Sequence, residues 1–194
     1  MKILTRRCVS WRALRELAGC LAALSLGCGL AGAAQAEKRC GEEITRPLLE
    51  VLHQKDPQQS DPVGVRTAIL KLGRMRCADA IDDLIGLLTF RFPFPKENEM
   101  AMNRPFTGSR YPATSALTEI GKPALPALVK VLETNEPASL LSKNARFTVR
   151  SIFAYRLADG DKFFKEAAEK AATPEAKQRL LKALETADED WRSD

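Results

Sequence analysis

The amino-acid sequence predicts an all-α protein, a short α-solenoid of about four helical hairpins with a long irregular insert at about 89–111. Three observations carry this. Apolar residues recur at i, i+3, i+4 and i+7 in four places: Val65/Ala68/Ile69/Leu72, Ile81/Leu84/Ile85/Leu88, Leu125/Leu128/Val129/Leu132 and Phe164/Ala167/Ala168/Ala171. That spacing puts one apolar stripe on each of four helices. The chain also matches itself at an offset of 44 residues, AIDDLIGLL at 80–88 against ALPALVKVL at 124–132. No convincing period-2 alternation occurs outside the insert.

The chain of 194 residues is about one domain long. Its first 36 residues read differently from the rest. MKILTRRCVSWRALRE is basic, LAGCLAALSLGCGLAGAA carries no charge, and Ala34-Gln35-Ala36 is a small–any–small exit. This order is that of a secretory signal peptide, cleaved after Ala36, and it implies export through a bacterial inner membrane. The domain division expected is thus 1–36 as signal and 37–194 as the folded body, periplasmic or secreted, with no transmembrane helix in the mature form. Leu17-Ala18-Gly19-Cys20 and Ser25-Leu26-Gly27-Cys28 resemble lipoprotein boxes, so a lipid-anchored form is the alternative. Of the chain's 30 basic residues five lie in this segment, and of its 25 acidic residues one. The body therefore balances at 25 against 24, which argues against a broad contact with nucleic acid.

Within the body the elements follow in order. Ile44, Leu48, Val51 and Leu52 mark a helix at 43–54. Asp61-Pro62 is an N-cap followed by Pro at the first helical position and opens 62–73. Asp79 starts 79–88. Pro112 starts 112–120. Pro123 and Pro126 fall around the first turn of 124–134, where missing N–H groups cost least. Helices follow at 144–158, 161–172 and, after Thr173-Pro174, at 174–187. Gly73 and Gly121 stand where a helix stops and the chain takes a left-handed residue.

Short helices with one apolar side cannot bury it alone and must stack. VRTAILKLGRMRCADAIDDLIGLL (65–88) and ATSALTEIGKPALPALVKVLE (113–133) resemble HEAT repeats, particularly the PBS-lyase-type form, and the resemblance covers most of 43–187. It implies hairpins at about 43–74, 78–122, 123–158 and 160–190. Their outer helices would be 43–54, 79–88, 124–134 and 161–172, and their inner helices 62–73, 112–120, 144–158 and 174–187. The family consists mainly of scaffolds, so the resemblance speaks for fold far more than for activity.

Once the signal has left with Cys8, Cys20 and Cys28, Cys40 and Cys77 remain. Export favours their pairing, and stacked repeats bring the starts of the first two outer helices side by side. A Cys40–Cys77 disulfide is expected.

Catalytic chemistry finds little support. His53 is the sole histidine and reads as a cation at a helix C-terminus. Asp79, Asp82 and Asp83 read as a helix start and a solvent face. No cofactor and no metal site are expected. Arg66 and Arg150 hold equivalent places, in VRT at 65–67 and VRS at 149–151. Arg66 is expected to pair with Asp61, whereas Arg146 and Arg150, with no acid close before them, are candidates for a concave binding face.

The insert TFRFPFPKENEMAMNRPFTGSRYP (89–112) holds four of the eight Phe, and its prolines forbid a continuous helix. Phe90, Phe92 and Phe94 alternate and would project to one side. They either cover the protein's own core or, with Arg91, Arg104, Phe106, Arg110 and Tyr111, meet a partner. The expected function is that of a monomeric, non-enzymatic, exported scaffold or protein-binding module with a protein partner. The alternatives are a structural envelope lipoprotein and a small solenoid-based lyase or hydrolase.

Overall fold

In a computed structural model the protein is described over residues 40–54, 56, 61–93, 107–154 and 156–193. The segment read as a signal lies outside these residues, as do Phe94, Arg104 and Phe106 of the insert. The described residues fall in one unit, 37–194. They form nine α-helices: α1 (Glu42–Leu52), α2 (Pro62–Arg74), α3 (Ile81–Gly86), α4 (Thr107–Arg110), α5 (Pro112–Ile120), α6 (Leu125–Thr134), α7 (Leu140–Ile152), α8 (Leu157–Lys170) and α9 (Pro174–Ser193). Single 3-10 turns, Ala78–Ala80 and Lys122–Ala124, lead into α3 and α6. Among the described residues there is no strand.

Local chemistry sets most boundaries. The Asp61 carboxylate accepts from the Gly64 N–H at 2.8 Å, and Pro62 sits at the start of α2, satisfying one otherwise orphaned donor. Pro112 plays the same starting role in α5, which ends at Gly121 with φ 82°, the left-handed conformation that costs glycine least. Thr173 Oγ1 accepts from the Ala176 N–H at 3.1 Å and opens α9.

The helices pack in pairs, α1 on α2, α3 on α5, α6 on α7 and α8 on α9. Adjacent pairs are joined by α2 on α5, α5 on α7 and α7 on α9, and also by α3 on α6. One apolar core runs through all of them. Val65, Ile69 and Leu72 of α2 and Leu117 of α5 are fully buried, as are Leu128 of α6, Val149 of α7, Phe164 of α8 and Leu180 of α9. Each such side chain contributes about 1.5–3 kcal/mol by leaving water. These contacts supply the cohesion that the single helices lack.

Three expectations need correction. The helix expected at 144–158 runs from Leu140 to Ile152. Ser139 caps it, accepting from the Ser142 N–H at 3.2 Å, so the start lies further upstream than the apolar pattern suggested. Gly73 does not end a helix in a left-handed turn. It is buried within α2, where a Cβ would stand 2.5 Å from Ala116 Cα of α5. The glycine permits close approach of two backbones, and the left-handed residue is Arg76, with φ 54°. Third, Asp61 caps α2 through the Gly64 N–H and forms no ion pair with Arg66, whose guanidinium lies instead against Phe92.

Cys40 and Cys77 are disulfide-bonded, with Cα atoms 5.4 Å apart. The bond ties the residue before the N-cap of α1 to the residue before the turn that leads into α3.

Candidate interaction surface

The described ends of the insert are built into the fold. Phe90 is only 4% exposed and belongs to the core, so this ring covers the protein's own interior. Phe92 is half-buried. Its N–H donates to the Arg110 carbonyl at 2.9 Å, so the outgoing and returning chains meet in a closed neck. The Arg66 guanidinium of α2 lies 4.7 Å from the centre of the Phe92 ring, a cation–π distance. On the returning side Gly108 is buried, its carbonyl accepting from Ser115 Oγ at 3.0 Å, and Thr114 Oγ1 donates to the Tyr111 carbonyl at 2.7 Å. Arg110 and Tyr111 are half-buried beside the neck, and Arg91 is exposed.

A further tie holds the outgoing chain. Asn144 of α7, 3% exposed, donates through Nδ2 to the Leu88 carbonyl at 2.6 Å. A buried carbonyl at the end of a helical turn must find a donor, and Asn144 supplies it from 56 residues away. Nothing local in the sequence marks this residue, since an Asn beside Lys143 reads as surface.

Arg146 and Arg150 are not on an open face. Arg146 is 2% exposed and donates through Nη1 to the Pro137 carbonyl, closing the loop before α7. Arg150 is 4% exposed. Its Nη1 meets Asp161 Oδ1 of α8, and its guanidinium lies 5.7 Å from the centre of the Phe164 ring. Nearby, Phe153 packs tilted against Phe163, and Phe163 meets Phe164 in a T-shaped arrangement. The acid that satisfies Arg150 comes eleven residues after it, on the next helix, so inspection of the preceding turn could not find it. Arg179 of α9 acts similarly, reaching the Glu133 carbonyl at 2.9 Å and Glu136 Oε1 at 3.1 Å.

His53, just past α1, sits 2.6 Å from Asp83 Oδ1 of α3. This corrects the reading of Asp83 as a plain solvent residue: it is half-buried and joins the first two hairpins. Among the described residues no group of three or more His, Cys, Asp or Glu is placed to hold a metal ion. No helix among them is long and apolar enough to cross a membrane.

The candidate residues therefore divide. Phe90, Arg146 and Arg150 hold the fold; Arg91, Phe92, Arg110 and Tyr111, joined by Arg66, form the neck and its flank. No protein-family model matches the chain, and neither a curated protein nor a solved structure matches it.

Proposed function

We propose that the protein is an exported, monomeric, non-enzymatic binding module, a short α-solenoid of HEAT-like hairpins. Its contact surface is the solvent side of the inner helices together with the segment 94–106. The observation that carries this reading is the neck. Phe90 in the core, Phe92 under Arg66, the Phe92–Arg110 bond and the Ser115–Gly108 bond all fix the point where the chain leaves and rejoins the array. Long loops placed by a rigid support commonly carry function. A disulfide between Cys40 and Cys77 supports the exported half of the reading.

The test replaces residues 94–106 by a short Gly-Ser linker and compares both forms by in-cell crosslinking in the cell envelope. A variant that keeps its helical signal and melting temperature but loses a crosslinked protein supports the module. Retention of every crosslink overturns the assignment of the insert. Sequencing the mature N-terminus separates the soluble form, beginning at Glu37, from a form blocked at an acylated Cys20 or Cys28.

A further inference from the structure

The body is nearly neutral, but its charge is segregated by helix. Helices α2, α5 and α7, which pack on one another in series, carry six bases (Arg66, Lys71, Arg74, Lys143, Arg146, Arg150) against one acid, Glu119. Helices α1 and α3 reverse this, with Glu42, Glu43, Glu50, Asp82 and Asp83 against Arg46. Arg146 and Arg150 are buried and engaged. Lys71 and Arg74 of α2 are not, and Arg66 is engaged by the Phe92 ring. Lys71 and Arg74 are exposed, Arg66 is half-buried, and none of the three forms an ion pair with another described residue.

We propose that this face docks an acidic polypeptide segment along α2, an inference that rests on the protein-binding reading above and names its partner class. Arg74 lies opposite the buried stripe of Val65, Ala68, Ile69, Leu72 and Gly73, and Arg66 and Lys71, at i and i+5, border the exposed face on its two sides. The three bases span roughly 12 Å at 1.5 Å per residue. Acidic side chains on one helix turn after another, or alternating along about four extended residues, match that reach. The Phe92 ring supports the Arg66 guanidinium. A planar fork so positioned suits two-point capture of a carboxylate, and an Arg–aromatic pair is the composition favoured at binding hot spots. Half-buried Leu70, between Arg66 and Lys71, adds an apolar contact. A narrow partner fits better than an anionic membrane because α1 packs directly beside α2. A broad anionic sheet would extend over α1 as well, whose Glu42, Glu43 and Glu50 outnumber Arg46.

The experiment measures fluorescence anisotropy of the exported protein with a labelled 16-residue peptide of Glu and Asp carrying Leu at every fourth position. The comparison peptide has Gln and Asn in place of the acids. The acidic peptide is expected to bind at least about tenfold more tightly, and the difference to shrink as salt rises. K71E/R74E is expected to lose at least about tenfold with an unchanged melting temperature, as is the single variant K71Q in smaller measure. K165E/K170E on α8 makes the same change in net charge and is expected to leave binding intact. Equal affinity for both peptides overturns the proposal, as does equal loss in K165E/K170E. So does binding, through Lys71 and Arg74, of anionic phospholipid vesicles or a single-stranded oligonucleotide without binding of the peptide. Envelope crosslinks that vanish on replacement of 94–106 yet survive in K71E/R74E overturn this docking face while leaving the binding-module reading in place.

Discussion

Arg66 of α2 and Arg150 of α7 each follow a buried valine, and the protein uses them differently. Both guanidiniums lie against a phenylalanine, Phe92 in one case and Phe164 in the other. Arg150 is also met by Asp161 and is withdrawn from water. No acid among the described residues meets Arg66, which stays half-exposed. The helix fixes where the side chain starts, and the neighbouring element decides what it becomes. Where an acid arrives, the arginine is a fastening between hairpins. Where none arrives, it is a cation offered to solvent. The same contrast extends to the two halves. The last two hairpins are held by long polar arms, Arg146, Arg150 and Arg179, reaching carbonyls and acids. The first two are held by a covalent bond and by close backbone approach at Gly73 and Ala116.

The contrast can be broken most forcefully at the covalent bond. Cys40→Ala with Cys77→Ala opens a loop spanning 37 residues and should cost on the order of 4 kcal/mol in chain-entropy terms. Urea unfolding followed by circular dichroism measures it, and an unchanged midpoint would show that α1 is held by packing alone. Next in size is Arg150→Ala, expected to cost about 2–3 kcal/mol through lost packing over Phe164 and a lost charge-assisted bond. Asp161 is 43% exposed, so water can take over its solvation and keep the loss below that of a fully buried pair. Gly73→Ala should cost about 2 kcal/mol, since the new methyl meets a backbone atom that cannot step aside. Arg66→Ala should cost about 1 kcal/mol or less, the value of a partly exposed cation–π contact. Equal losses for Arg66→Ala and Arg150→Ala would erase the distinction drawn between them. The smallest effect is expected at His53→Ala, about half a kcal/mol, because the ring is 63% exposed and surface pairs contribute little. Thermal unfolding of the single variants resolves this order.

The helices that the sequence announces clearly are those with local punctuation. Asp61-Pro62 and Pro112 place the starts of α2 and α5 at the expected residues, and Gly121 marks the end of α5 as expected. The start of α7 is obscured. Leu140 at its first position is 43% exposed, while Ser142, Asn144, Arg146 and Thr148 behind it are buried, an inversion of the pattern by which helices are recognised. Gly73 shows the limit of reading glycine locally: near a helix end it serves a turn or a contact, and only the partner helix tells which. The disulfide was legible because Cys40 and Cys77 are the only cysteines beyond the first 36 residues. The site was legible only in outline. The insert declares itself by its prolines and phenylalanines, but the contacts that seat it, Arg66 on Phe92 and Asn144 on Leu88, join residues far apart in the chain and leave no local trace.

The neck of the insert has a consequence for what the chain can carry there. With Phe92 bonded to Arg110, the two strands of chain part and rejoin at one anchored doorway. Closing a loop there becomes more costly only with the logarithm of its length, about 0.6 kcal/mol per doubling. Cargo of varied size and chemistry, from a short tether to a foreign epitope or a small domain, can therefore be grafted beyond the doorway with little penalty to the helices that frame it.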